Sequence, residues 1–328
     1  MNEKNKKNAK LLVRILITTL LLTWVFTKID FQQFTDAVKE AKWYLLILSW
    51  IVTLLIFWVA SFTMRLIMKR LDCEISTGTV FFASAITSLY GMVLPGILDV
   101  SAKWYVLKLH TGKPSHILSG MVYNQFTSTL MIIIFGLSAL IISNPTSNFK
   151  LPLICIFLLI IITLCCLLLF NRITGPKVTN FFGSTLKWLP PKINNTGQKI
   201  LDQLSTFQTA EWGFHLQILL LTAFTTFLGV ILYVFAAKAA GITVSFGVLV
   251  WQSSLIYLLG RLPISIADLG VREITIVESL ARYGVSAPQA LLMSMVVFSN
   301  RIIMVLLGAI YQIYWVVHSH KFIQAEKH

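Results

Sequence analysis

Residues Arg261–Glu273 read R-L-P-I-S-I-A-D-L-G-V-R-E: two Arg, an Asp and a Glu beside a Pro and a Gly, with almost continuously apolar sequence around them. Charge at membrane depth is costly, so such residues pair with one another, face an interior or serve a pathway. Pro263-Ile264 interrupts a helix, and Ser265 followed by Asp268 has the S-x-x-D form of a new helix start. Broken helices mark binding sites in membranes. The stretch therefore predicts two compatible roles: Asp268 as a cap with Arg272 its partner one turn on, and cations in direct contact with a substrate.

The surrounding composition decides the class. The 328 residues are 56% hydrophobic and 12% charged, and the net charge is +14. Soluble domains carry about 25% charged residues, so repeated apolar runs at half that charge predict an all-α polytopic membrane protein. No soluble catalytic domain fits in the remainder. The surplus of Lys and Arg points to cytoplasmic loops facing anionic lipid rather than to nucleic acid. Cys73, Cys155, Cys165 and Cys166 fall in or beside apolar segments without metal spacing and read as small core residues. The polar, basic first ten residues and the run Leu11–Phe26 have the outline of a signal peptide, but Thr27-Lys28-Ile29-Asp30 is no cleavage site, so a retained first span is expected.

Spans of about 20 apolar residues cross a bilayer. Leu11–Phe26 and Trp43–Met64 come first, with Trp43, Tyr44 and Trp58 as interfacial anchors. Thr79–Leu94 is short and broken by Pro95-Gly96, and Ile97–Leu109 follows with Asp99, Lys103 and Lys108. Ile117–Ile142, Leu151–Phe170 and Phe214–Ala237 are full spans. Val244–Leu259 is again short, broken by Arg261 and Pro263, and leads to Ile264–Tyr283; Ala290–Val317 closes the set with Arg301 inside it. This amounts to about eight full-span equivalents in one integral membrane domain, residues 1–328.

With a cytoplasmic N-terminus and each broken pair entering and returning, fifteen Lys and Arg fall on the cytoplasmic side and five on the other. That bias predicts that both termini are cytoplasmic. The halves, approximately 1–142 and 151–320, then become inverted copies in plan. Leu94-Pro95 is followed by Asp99 and Lys103, and Leu262-Pro263 by Asp268 and Arg272. Each acid and base four residues apart share a helix face. Together these features follow the inverted-repeat logic of transporters, in which discontinuous helices from opposite sides meet near the midplane. In the cytoplasmic loop 171–213, Ile200, Leu201, Leu204 and Phe207 at helical spacing predict an amphipathic helix on the leaflet, or else a plain surface linker.

There is no G-x-S-x-G, P-loop, G-x-G-x-x-G or H-E-x-x-H, so catalysis, a metal and a cofactor are all unsupported. What remains is intramembrane cations with acidic partners: Lys103 with Asp99, Arg272 with Asp268 or Glu273, Arg282 with Glu278, and Arg261 and Arg301 with none within a turn. Arg suits phosphate because its planar fork binds two oxygens and stays charged. Arg301 needs a partner from elsewhere, either an acid (Asp268, Glu273 or Asp99) or a lipid phosphate, since an unpaired buried guanidinium costs several kcal/mol. Asn124 and Gln125 in one span and Asn300 in another read as inter-helix glue or, for the repeated Asn, as cavity lining.

The motifs L-P-G-x-x-x-x-x-x-K-W-Y-x-L at Leu94–Leu107 and L-P-I-S-I-A-D-L-G-V-R-E at Leu262–Glu273, followed by Tyr283-Gly284-Val285, resemble the lysylphosphatidylglycerol synthase transmembrane-region family, also called flippase-like. Pro263, Gly270, Arg272 and Glu273 match the second motif, and Pro95, Gly96 and Lys103 the first. Many relatives have Gly where this chain has Ala267-Asp268, and many have Arg near Gln125; both departures bear on substrate more than on fold. The resemblance implies a stand-alone member without the synthase domain, residing in the bacterial inner membrane. It implies translocation of an anionic phospholipid or lipid-linked glycan between leaflets in envelope biogenesis. Lys103, Arg261, Arg272 and Arg301 would bind lipid phosphate, and Asp99, Asp268 and Glu273 would serve as counter-ions or gates. The alternative is a non-transporting scaffold or accessory subunit of an envelope glycosyltransferase.

Overall fold

A computed structural model of the chain describes residues 31–93, 97–145, 149–188, 190–262 and 268–325, together with positions 19 and 23. The expected first span and the breaks Pro95, Gly96 and Pro263 lie outside the described residues, as does the side chain of Asp99. Among the described residues all regular structure is helical: α1 Phe31–Glu40, α2 Trp43–Arg70, α3 Thr77–Val93, α4 Ile97–Thr111, α5 Pro114–Ser143, α6 Lys150–Leu169, α7 Gly175–Leu186, α8 Pro191–Ser205, α9 Trp212–Ala239, α10 Phe246–Leu259, α11 Val271–Ala281 and α12 Ala287–Ala325. Five of these, α2, α5, α6, α9 and α12 as far as Tyr314, are long and apolar enough to cross a membrane. A 28-residue helix such as α2 or α9 is roughly 42 Å long, more than the ~30 Å hydrocarbon core requires. The shorter helices α3–α4 and α10–α11 form the two expected pairs, and α11 is shorter than its apolar run because it starts only at Val271.

Apolar surface is buried in two clusters. One joins the start of α2 (Leu45) to the end of α9 (Tyr233, Ala236), α10, α11 and the start of α12. The other joins the end of α2 (Met64, Ile67, Met68) to α3, α4, the start of α5 and Ile218 near the start of α9. Each broken pair thus has its own core, and α2 and α9 run antiparallel through both. The packing has a regularity: α12 lies along α3 as α5 lies along α10, α4 meets α5 as α11 meets α12, and α2 meets α5 as α9 meets α12.

The two long crossings are made close by glycine. A Cβ on Gly308 of α12 would stand 2.3 Å from the Ala85 carbonyl oxygen of α3, and one on Gly136 of α5 would stand 2.9 Å from the Ser254 Cβ of α10. In hydrocarbon there is little hydrophobic drive between helices, so close backbone approach at small residues supplies the attraction.

The segment 171–213 is neither a bare linker nor a helix lying on the leaflet by its Leu204 face. It forms two helices, α7 and α8, packed on each other, with α8 against α5. Leu204 and Phe207 are buried in the second cluster, where the Tyr123 ring stacks on Phe207 at 4.1 Å. Gln203 and Ser119 hydrogen-bond across the contact, and Tyr123 Oη and His215 Nδ1 lie 2.7 Å apart. Periodicity identifies a face that must be covered; here helix α5, not lipid, covers it.

Candidate functional site

A cavity of about 1060 Å³ opens between α2, α3, α4, α5 and α8. One stripe of α5 forms its long wall: Ser115, Leu118, Met121, Val122, Gln125, Phe126 and Thr129, spaced by three and four residues, with Asn124 beside them. At 1.5 Å per residue, Ser115 to Thr129 spans roughly 21 Å, a depth that suits a lipid headgroup with part of its chains. Met64, Thr87 and the α4 residues Ser101, Lys103 and Trp104 also line the space, as does Ile200 of α8. The Trp104 indole N–H donates to the Pro114 carbonyl at 3.1 Å, and the Lys108 ammonium lies 5.2 Å from the centre of its ring. The Trp104–Pro114 bond holds α4, and with it Lys103, against the start of α5.

A residue of the other half of the chain reaches this wall. Arg261, just beyond α10, donates through Nη1 to Thr129 Oγ1 and, at 3.4 Å, to the Gln125 carbonyl. Gln125 and Thr129 both line the cavity. A cation from the second broken pair is therefore tied to two residues of the α5 wall, midway along that helix, while Lys103 lines the cavity itself.

The remaining expected site residues form two separate ion pairs. Asp268 adopts a left-handed backbone with φ +61, as does Gly270 with φ +83, and these two turns lead the chain into α11. Asp268 carries this conformation because a short polar side chain tolerates it better than most. Its carbonyl accepts from the Arg272 N–H at 3.1 Å, but its Oδ2 accepts from Arg301 Nη1 at 3.0 Å; the side chains of Arg301 and Asp268 are 29% and 34% exposed. The expectation of Asp268 as a cap with Arg272 its partner one turn on is thus corrected.

Arg272 instead pairs with its neighbour Glu273, both side chains being 7% exposed. Arg272 Nε donates to Ser294 Oγ at 3.0 Å, Ser294 Oγ donates to Glu273 Oε1 at 2.9 Å, and the guanidinium lies 4.9 Å from the Phe298 ring centre. Glu273 Oε2 accepts from the Gly270 N–H at 2.6 Å, so Glu273 caps the start of α11; the expected box at Ser265 lies outside the described residues. With its Nε and Nη2 engaged and its side chain buried, Arg272 ties α11 to α12.

Asn124 lines the cavity. Asn300 is used as inter-helix glue, its Oδ1 accepting from Ser49 Oγ at 3.1 Å and Thr53 Oγ1 at 2.9 Å while its amide donates to the Val296 carbonyl at 2.9 Å. The structure also brings in residues that the sequence reading passed over: Thr129 and Ser101 in the cavity and Ser294 between Arg272 and Glu273. Thr129 follows Gln125 by one turn, and that spacing was its only signal. Among the described residues no group of three or more His, Cys, Asp and Glu could hold a metal ion.

A family model described as the lysylphosphatidylglycerol synthase TM region matches residues 11–309. The chain belongs to that family. The match runs through both broken pairs and the intervening α7–α8 segment. It is a multi-pass membrane protein of the flippase-like kind. A search of curated proteins finds none that matches.

Proposed function

We propose that this chain moves an anionic phospholipid or lipid-linked glycan between leaflets of the bacterial inner membrane and transforms no substrate. The observation that carries this reading is the cavity along α5, with Lys103 in its wall and Arg261 of the opposite half bonded to two of its lining residues. Its lining is otherwise apolar, hydroxyl-bearing or amide-bearing, which suits a phosphate entering with its acyl chains. The headgroup meets cations while the chains remain against Met64, Leu118 and Phe126.

In this reading the termini are cytoplasmic, eight spans form two inverted halves, and the cavity opens toward the cytoplasmic leaflet, because α8 and the start of α5 lie on the basic side of the chain. Exchanging α2 with α9, α3 with α10, α4 with α11 and α5 with α12 reproduces the packing among these eight helices, and this supports the inverted plan. The Asp268–Arg301 pair, a third exposed, is the second station on the route, with Asp268 releasing the guanidinium when a phosphate arrives. Lys103, Arg261 and Arg301 contact the lipid, while Arg272 and Glu273 hold α11 and α12 in place.

The test is leaflet exchange of fluorescent phosphatidylglycerol in proteoliposomes. Lys103→Ala and Arg261→Ala are expected to cut the exchange rate at least tenfold with folding intact. Full exchange by both variants would sink the assignment of the cavity as the lipid route.

A further inference from the structure

The hairpin α7–α8 has a second apolar face that the core does not use. Lys177, Phe181 and Ser184 follow one another at steps of four and three residues, which places them on one side of α7, and Ile173 and Trp188 stand in the turns that flank the helix. All are exposed; Phe181 is 68% and Trp188 92% open. Two lysines, Lys177 and Lys187, stand on or beside this face, and Lys199 is exposed on α8. Large aromatics at the surface next to lysines are the composition of helices that lie in a headgroup layer: the rings sit at the boundary and the ammonium groups meet lipid phosphate. Position agrees, since α7 begins only a short turn after α6 leaves the apolar region.

We propose that the Phe181–Trp188 face of α7 docks on the anionic headgroup surface of the adjacent leaflet. The face turned outward is not the Leu204 face of α8, which is buried against α5. Charge complementarity selects the occupant, as each Lys near an anionic surface strengthens binding by about fivefold. Docking there also has a structural consequence. The same hairpin places Ile200 in the cavity wall and ties Gln203 to Ser119 at the cavity's end, so leaflet composition is sensed beside the cavity mouth.

The experiment attaches an environment-sensitive nitrobenzoxadiazole dye at Ser184→Cys in a Cys165→Ser, Cys166→Ser background; Cys73 and Cys155 are buried. The full chain is placed in nanodiscs of phosphatidylcholine alone or of an equal mixture with phosphatidylglycerol. Expected are blue-shifted emission and quenching by lipids brominated near the headgroup, both stronger in the mixture. Phe181→Ser with Trp188→Ser should abolish both signals. Lys177→Glu with Lys187→Glu should erase only the gain from phosphatidylglycerol. Emission typical of water in both discs would overturn the proposal. So would a blue shift that vanishes when each disc holds a single chain, because the face would then meet a second copy. None of these readouts requires transport, so the proposal stands or fails independently of the flippase reading.

Discussion

Arg272 and Arg301 carry the same charge in the same region, but their surroundings make their removal different in kind. Arg272→Ala would leave the Glu273 carboxylate, 7% exposed, without its cation, and breaking a buried pair from one side costs about 3–5 kcal/mol. A large drop in melting temperature in detergent is expected. Replacing both partners, Arg272→Met with Glu273→Gln, should recover most of it, because the Gln side chain still accepts from the Gly270 N–H and no uncompensated charge remains. Arg301→Ala opens a pair that is about a third exposed, so its partner Asp268 is left less deeply buried than Glu273 would be and the cost should fall below that of Arg272→Ala. Equal losses for the two Arg variants would contradict this division. The sequence made the charged cluster plain and offered both observed pairings, Arg272 with Glu273 and Arg301 with Asp268, among alternatives that spacing alone did not separate. Left-handed turns at Asp268 and Gly270 remove Asp268 from that helix, and no count of residues along the chain signals them.

Individual helices were more legible than their partners. The apolar runs located α2, α5, α6, α9 and α12, because nothing but a span needs so many apolar residues in succession. Helix α1 was missed; it is short, and only Phe34, Ala37 and Val38 of its face pack against the core. Helix α8 was foreseen, yet its apolar side met α5 instead of lipid, since amphipathicity says that a face is covered and not by what. Close approach between helices is likewise invisible until both backbones are placed. Gly308→Ala is expected to separate α12 from α3 and to cost about 1–3 kcal/mol, because the added methyl would meet the backbone oxygen of Ala85. Gly213→Ala in the first turn of α9, where a Cβ meets nothing within 4 Å, is its control and should leave the melt unchanged or slightly raised. Comparable destabilisation by both would show that helix propensity, not the crossing, sets the effect.

For the molecule as a whole, the duplicated break motifs and the charge bias led to the expectation of two inverted halves, whereas the contact of Arg261 with Gln125 and Thr129 of α5 is long-range, and local patterns cannot carry it. One sequence offset relates Ala85 to Ser254, Asp99 to Asp268 and Lys103 to Arg272, so the crossing of α12 over Ala85 and that of α5 over Ser254 are counterparts. If exposure alternates by rocking one half against the other, these two crossings must slide. A bond across either should stop transport. Gly136 and Ser254 are the pair to join: a Cβ at Gly136 lies 2.9 Å from the Ser254 Cβ, slightly inside the ~3.5–4.5 Å of a disulfide, and a small outward shift of α5 brings it into range. In a Cys165→Ser, Cys166→Ser background, Gly136→Cys with Ser254→Cys should exchange lipid when reduced, lose exchange on oxidation and regain it with reductant. The single variants should ignore the oxidant. If complete cross-linking leaves the exchange rate unchanged, the halves do not rock about this contact, and lipid passes along a fixed surface groove from Lys103 to Arg261 while the bundle stays closed.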